Sequence, residues 1–145
     1  MSLDGVYEPG NVFAKILRGE IPKALIFEDL ETMAFMDAFP QSPGHCLVIH
    51  KTSTARNLLD AEPETLAAIM RTAQKVTRAV RDALAPDGIV ITQFNGEAAG
   101  QTVFHLHVHV IPRWAGAALG RHGATMADPA ELSRTAARIA AKISA

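Results

Sequence analysis

The sequence feature that most constrains this chain is a row of three histidines at alternate positions, His105, His107 and His109. A period of two is the period of a β-strand, so the three imidazole rings would share one face of that strand. Pro112 has no backbone N–H to donate, so the strand is expected to end there. The apolar residues that would pack into the core from the opposite face are Phe104, Leu106, Val108 and Val110.

Three interpretations of this row are open. Chance grouping on a solvated face is the first, although half of the six histidines of the chain fall within five positions. A metal site is the second, but alternate strand residues lie about 6.5–7 Å apart and Zn–N bonds measure about 2.0–2.1 Å, so two rings reach one ion more easily than three. The third is an anion site in which one neutral imidazole is a nucleophile. The pKa of histidine lies near neutrality, and the two nitrogens of its ring can have different chemical roles.

The segment directly before the row favours the third interpretation. Residues 95–102 contain two glycines, two side-chain amides and a hydroxyl. Turns of this kind can present backbone N–H groups to phosphate oxygens. An ordinary connection between strands can have the same composition, so it is the position of the loop beside the histidines that makes it a candidate phosphate site.

Together these residues resemble the signature of the histidine triad (HIT) family of nucleotide hydrolases and transferases. The resemblance rests on residues 100–113 and runs from about Asn11 to Trp114, with similar stretches at 12–22, 34–37 and 41–49. It implies an α+β HIT-like fold, in which a mostly antiparallel sheet (a half-barrel) with flanking helices continues across a homodimer. Residues 1–145 would form a single HIT domain, with a core at about 11–114 and a C-terminal tail and helix at about 115–145.

The resemblance also implies a covalent mechanism. His107 would attack the α-phosphorus of a nucleoside phosphate derivative, and water would then hydrolyse the nucleotidyl–histidine. His109 would contact the phosphate and assist protonation of the leaving group, and His105 would orient the nucleophile. The substrate-binding residues would be Asp37 for the ribose hydroxyls, Gln101, Thr102 and Asn95 for the phosphate or leaving group, His45 as an orienting neighbour, and Val12, Phe13 and Ile16 for the base.

The chain departs from the family pattern in two places. Many bacterial members hold a structural zinc with two cysteines, a later histidine and the first triad histidine. The first three of these positions are Asn11, Ala14 and Ser53 here, so we predict no metal and no other cofactor. The loop asparagine of the family has Phe94 at its place, and Asn95 stands one residue later.

Composition limits the class of protein. A chain of 145 residues with a net charge of −1 predicts one soluble, cytoplasmic, globular domain. No basic block indicates a nucleic-acid partner, and no apolar run reaches the length of a membrane span. The single cysteine, Cys46, excludes an internal disulfide and fits a reducing compartment. The expected partners are a small nucleotide and a second copy of the chain, with neither nucleic acid nor membrane.

Hydrophobic periodicity and turn signals place the remaining elements. Residues 1–10 have no period and are predicted to be a loose lead-in, and His122 is predicted to be an ordinary exposed residue. The predicted helices cover 12–18, about 60–84 and about 128–143. The predicted strands cover 24–28, 32–37, 45–50, 88–94 and the histidine row.

The preferred function is hydrolysis of purine nucleoside phosphoramidates or related nucleoside phosphate derivatives. Hydrolysis of dinucleoside polyphosphates is the alternative within the same class. A nucleotide-binding regulatory or interaction protein with vestigial activity is the alternative from another class. The intact histidine row argues against this last alternative, because a pure binding protein needs no nucleophile.

Overall fold

The computed structural model describes residues 2–120 and 125–143, and His122 lies outside them. Five strands form one antiparallel sheet in the order β1-β2-β3-β5-β4. The predicted α+β fold with an antiparallel sheet and flanking helices is therefore confirmed. The elements are α1 (Val12–Leu17), β1 (Leu25–Glu28), β2 (Thr32–Met36), β3 (Cys46–His50), α2 (Pro63–Leu84), β4 (Gly88–Thr92), β5 (His107–Arg113) and α3 (Pro129–Ala140), with short 3-10 turns at Leu58–Asp60 and Glu97–Ala99.

The sheet separates two apolar clusters, because successive side chains of a strand point to opposite faces. Helices α2 and α3 cover one face, where Val48 and Val110 pack with Ile69 and Ile139 in the larger cluster. Full burial of an aliphatic side chain of this size stabilises the fold by about 1.5–3 kcal/mol. Helix α1 covers the other face. The smaller cluster there consists of Phe13, Ile16, Met33, Phe35, Leu47 and Ile49.

Strand pairing sets the face on which the histidines lie. His107 is paired with Ile49 and His109 with Leu47, and both partners belong to the smaller cluster under α1. Val108 lies between them and joins the larger cluster on the opposite face. The predicted alternation is thus confirmed for His107 and His109.

The prediction that the strand also contains His105 is wrong, because β5 begins at His107. The backbone N–H of Leu106 donates to Ala55 O at 3.0 Å, in the segment that follows β3. This contact draws the chain out of the sheet before the strand starts. His105 therefore precedes the strand and is held by contacts other than a strand ladder.

The prediction of a loose lead-in is also wrong. Residues 2–10, here called the N-terminal strap, are attached to the rest of the protein by several hydrogen bonds. Asn57 Nδ2 donates to Leu3 O at 3.0 Å, and the backbone N–H of Glu97 donates to Ser2 Oγ at 2.9 Å. These partners lie far away in the sequence, so no local pattern indicates them.

Helix ends follow their capping residues. Asn11 caps α1, since its side-chain oxygen accepts a hydrogen bond from Ala14 N at 2.9 Å. Asp128 caps α3 in the same way through Ala130 N, as its sequence predicts. Within residues 2–120 and 125–143, no helix combines the length and apolarity needed to cross a bilayer.

Candidate active site

A cavity of about 610 Å³ opens beside the histidine row on the α1 face of the sheet. This volume is in the range of small-molecule sites. Four predicted site residues do not line it: His45, Asn95, Gln101 and His105. The predicted residues that do line it are Val12, Phe13, Ile16, Asp37, Thr102, His107 and His109.

One end of the cavity is an apolar slot beneath α1. Phe13 and Ile16 are buried there, while Val12 is more than a third exposed at the rim. Phe35 and Leu47 complete the slot and were not among the predicted site residues. They are paired across β2 and β3, so the strand period together with the register would have identified them. A slot lined by aromatic and branched side chains suits a flat apolar ring such as a nucleobase.

His107 has a defined tautomer. Its Nδ1 lies 2.7 Å from the backbone oxygen of His105, and a carbonyl oxygen can only accept, so Nδ1 carries the proton. In the neutral ring the lone pair is then on Nε2. The Phe13 ring contacts the imidazole edge-on with centroids 4.8 Å apart, which fixes the orientation of His107 from the α1 side. The ring is 6% exposed and lines the cavity.

His109 belongs to a chain of donors that starts at the backbone. The N–H of Gln41 donates to His45 Nδ1 at 3.0 Å, so neutral His45 carries its proton on Nε2. That nitrogen lies 2.9 Å from His109 Nδ1 and donates to it. His109 consequently holds its own proton on Nε2. In this arrangement Nε2 of His109 carries a proton that it can donate, whereas Nε2 of His107 carries the lone pair of its ring.

A glycine allows the turn that brings His45 to this place. Gly44 has φ +88°, a left-handed conformation that L side chains rarely adopt, and an added Cβ would lie 2.4 Å from Leu84 Cδ1. The next residue, His45, is fully buried between β3 and the histidine row. A residue with a Cβ at position 44 would be strained at this φ, and its Cβ would force the Leu84 side chain to shift.

Asp37 lies at the end of β2, beside the same pair of rings. Its Oδ1 accepts from Phe39 N at 2.8 Å, and its Oδ2 lies 3.4 Å from His45 Nε2. The side chain is buried but lines the cavity. Asp37 thus combines the turn-forming contact that its sequence position indicates with a carboxylate oxygen at the cavity wall.

Asp37, His45 and His109 are also the one group in the described part of the chain whose ligand atoms lie close enough to hold a metal ion. The tautomer of His45 opposes that use. Its Nε2 bears a proton while Gln41 donates to Nδ1, so this atom has no lone pair for a metal. Asn11 and Ser53, which stand at two of the family's zinc-ligand positions, instead accept hydrogen bonds from backbone N–H groups. The absence of a metal stays a prediction.

Five main-chain N–H groups of the predicted phosphate loop are used inside the protein. The N–H groups of Gly96, Glu97, Ala99, Gly100 and Gln101 all donate within the protein, because the 3-10 turn and the strap use them. They are therefore engaged elsewhere and do not form a row of donors for an anion.

Gln101 and Asn95 close this loop instead of facing the cavity. Gln101 is 2% exposed; its Oε1 accepts from Gly96 N, and its Nε2 donates to Arg56 O at 2.7 Å and to Val103 O at 3.1 Å. Asn95 Oδ1 accepts from Leu58 N at 2.9 Å. Both side chains thus make contacts that shape the loop, and Thr102 lines the cavity. The phosphate contacts of Gln101 and Asn95 stay predictions.

His105 is buried behind His107. Burial lowers its pKa from 6.5 to about 4, the neighbouring His107 adds to this effect, and a hydrogen bond to the backbone of His50 opposes it. Its Nδ1 lies 2.7 Å from the hydroxyl of Tyr7, a residue of the strap that the sequence did not indicate. His105 is therefore a neutral ring at physiological pH.

Cys46 takes no part in the chemistry. Burial raises the pKa of its thiol to about 12, and the nearby Asp37 carboxylate adds to the effect. The thiol therefore stays protonated and unreactive at neutral pH. Its role is that of a small core residue on the α2 face, as its apolar neighbours predict.

Comparison with known proteins finds relatives of this chain in both sequence and fold. An adenosine 5′-monophosphoramidase of Schizosaccharomyces pombe is 37% identical over 70% of this chain and 73% of its own length. An adenylylsulfatase of Arabidopsis thaliana is 37% identical over 77% of this chain and 59% of its own length. A HIT-like protein of Bartonella henselae superposes with a TM-score of 0.88 at 44% identity, covering 95% of this chain and all of that one. The HIT domain family model matches residues 18–116, and the chain belongs to the HIT family.

Proposed function

We propose that this protein is a nucleotide hydrolase that cleaves purine nucleoside phosphoramidates or related nucleoside phosphate derivatives through a covalent nucleotidyl–His107. The observation that carries the proposal is the hydrogen bond from His107 Nδ1 to His105 O, which leaves the lone pair on Nε2 of a ring lining the cavity. A nucleotide-binding protein without activity has no need of such a fixed nucleophile. Turnover is expected to require no metal.

The reaction has two displacement steps. In the first, the Nε2 lone pair of His107 attacks the α-phosphorus, a P–N bond forms, and the bond from phosphorus to the leaving group breaks. His109 donates from its Nε2 to the departing nitrogen or oxygen and relays to it a proton taken up from solvent. In the second, water attacks phosphorus, the P–N bond breaks, and the water proton returns to solvent through His109. Division into two displacements, with both rings held in place, lowers the barrier of each.

The cavity supports a nucleotide as the substrate. Its apolar slot under α1 would hold the base, and Asp37 would accept hydrogen bonds from the ribose hydroxyls. The names of the two enzymes reported above assign them adenylyl sulfate and an adenosine 5′-monophosphoramidate as substrates. Attack at the α-phosphorus of a nucleotide in the present cavity would serve either kind of leaving group.

His107→Ala tests the proposal most directly. With substrate radiolabelled at the α-phosphate, a denaturing quench kept alkaline to preserve the P–N bond should recover labelled wild-type protein and no labelled variant. Turnover should fall by several orders of magnitude, while binding of a nucleoside monophosphate and the thermal unfolding temperature stay close to wild type. Near-normal turnover of the variant, or label on His105 or His109, would refute the role of His107.

A substrate panel then separates the alternatives within the class. Adenosine and guanosine phosphoramidates, adenylyl sulfate and diadenosine polyphosphates would be compared by kcat/KM. We expect the phosphoramidates to be preferred. Preference for the polyphosphates would select the other hydrolase, and tight binding without turnover of any member would select the binding protein.

The edge of the sheet supports a homodimer as the working form. β4 is an edge strand, and Val90 and Ile91 on it are each about 40% exposed. An apolar edge strand presents unpaired backbone groups to another chain, and the family resemblance implies that the sheet continues across a dimer. Ile91→Asp should yield a monomer by sedimentation, whereas Leu30→Asp in the exposed β1–β2 turn should not. A wild-type monomer at micromolar concentration would refute the dimer.

A further inference from the structure

The strap brings the hydroxyl of Tyr7 to the buried ring of His105. The hydroxyl oxygen lies 2.7 Å from Nδ1, and the two rings are tilted at a centroid distance of 5.6 Å. His105 is 2% exposed, so neither nitrogen is in contact with bulk solvent. The contact spans 98 residues of sequence, and nothing about residues 1–10 suggests it.

The direction of this hydrogen bond follows from the other side of the ring. His105 makes a hydrogen bond with the backbone of His50 that favours the protonated ring, which identifies a carbonyl oxygen as the acceptor of a ring N–H. Nδ1 faces Tyr7, so this N–H is on Nε2. A neutral imidazole has only one N–H, and Nδ1 must therefore accept from the Tyr7 hydroxyl.

The ring of His105 in turn holds the backbone on which the nucleophile depends. The carbonyl of His105 accepts from His107 Nδ1 at 2.7 Å, yet His105 precedes β5 and has no strand ladder to fix it. Its peptide is secured by the Leu106 N–H bond to Ala55 O and by the two contacts of its ring. Loss of the Tyr7 contact would remove one of the contacts that hold the His105 peptide.

From this connection we infer that Tyr7 is a positioning residue for His107. Its hydroxyl fixes the tautomer and orientation of the His105 ring, and the ring fixes the carbonyl that keeps the His107 proton on Nδ1. Tyr7 does not line the main cavity, so we expect it to make no contact with a substrate there. The inference rests on the proposed function, since it assigns to Tyr7 an effect on the reactivity of His107.

Tyr7→Phe removes the hydroxyl and keeps the aromatic ring. We expect kcat to fall about tenfold with KM unchanged, the size of one lost hydrogen bond. Val6→Ala is the matched control, because Val6 is the neighbouring strap residue and is 81% exposed. Unchanged kcat in Tyr7→Phe, or a fall equalled by Val6→Ala, would overturn the inference.

Nitrogen NMR of the histidine rings tests the same inference without turnover. In wild type, His107 should show a protonated Nδ1 and His105 a protonated Nε2, and Tyr7→Phe should convert both to tautomer mixtures. Wild-type spectra in the variant would overturn the role of Tyr7. If the wild-type protein turns over no nucleotide but the tautomers respond in this way, the proposed function fails and the positioning by Tyr7 stands.

Discussion

The two rings that flank His107 are held in similar ways but face different surroundings. Each accepts a hydrogen bond at Nδ1, His105 from the Tyr7 hydroxyl and His109 from His45 Nε2. His109 lines the cavity, whereas His105 is buried behind it. The comparison teaches that two histidines at equivalent sequence positions can differ in role because their surroundings differ. We expect His109, at the cavity, to donate a proton, and His105, beside the strap, to hold the backbone in place.

The test with the largest expected effect compares the variants His109→Ala and His105→Asn on two substrates that differ in their leaving group. A general acid contributes about 10²–10⁴-fold when the leaving group needs a proton. His109→Ala should therefore lose that much kcat with an amine leaving group and far less with nitrophenolate, which departs without protonation. His105→Asn acts through His107 and should slow both substrates by the same factor. Equal sensitivity to the leaving group in both variants would contradict this difference in role.

The second test uses pH and the stability of the fold. The pKa of His105 is about 4 in the folded chain against 6.5 for an unperturbed ring, so between these values the unfolded chain binds more protons. The free energy of unfolding should fall as pH drops from 6.5 to 4, by about 3 kcal/mol from this group. Denaturant titrations of wild type and His105→Asn should diverge over this window, with the variant less pH-dependent. Parallel curves would show that His105 is not the group responsible.

The smallest effect belongs to the Asp37 carboxylate at the His109 end. Asp37→Ala should weaken ribonucleotide binding by about 1.5–3 kcal/mol, because a charged acceptor for the ribose hydroxyls is lost. Binding of 2′,3′-dideoxy analogues should change little. Asp37→Asn, which can still accept from Phe39 N, is the control for the turn. Equal weakening of both ligand classes, measured by calorimetry, would assign Asp37 to turn structure alone.

Sequence reasoning worked where the signal was local or periodic. Alternation placed His107 and His109 on one face. Helical spacing located α2, although it begins at Pro63 and not at about residue 60, and spacing with the capping Asp128 located α3. The family signature directed attention to Asp37 and the slot residues on α1, which line the cavity. These features depend on residues a few positions apart.

The failures share a physical cause, which is competition from distant partners. The strap looked loose because its partners, such as Asn57 and Glu97, lie far along the chain. His105 left the strand because Ala55 competes for the neighbouring amide. No periodicity carries information about such pairings.

The position of the strap has a consequence for the order of folding. Tyr7 and His105 are separated by 98 residues, and Ser2 and Glu97 by 95, so these contacts close some of the longest loops in the chain. Contacts of high sequence separation incur their entropy cost before they return any stabilisation. The sheet and α2 can assemble from nearer contacts, and we expect the strap to dock last. A refolding chain should therefore regain native circular dichroism before it regains a competent nucleophile.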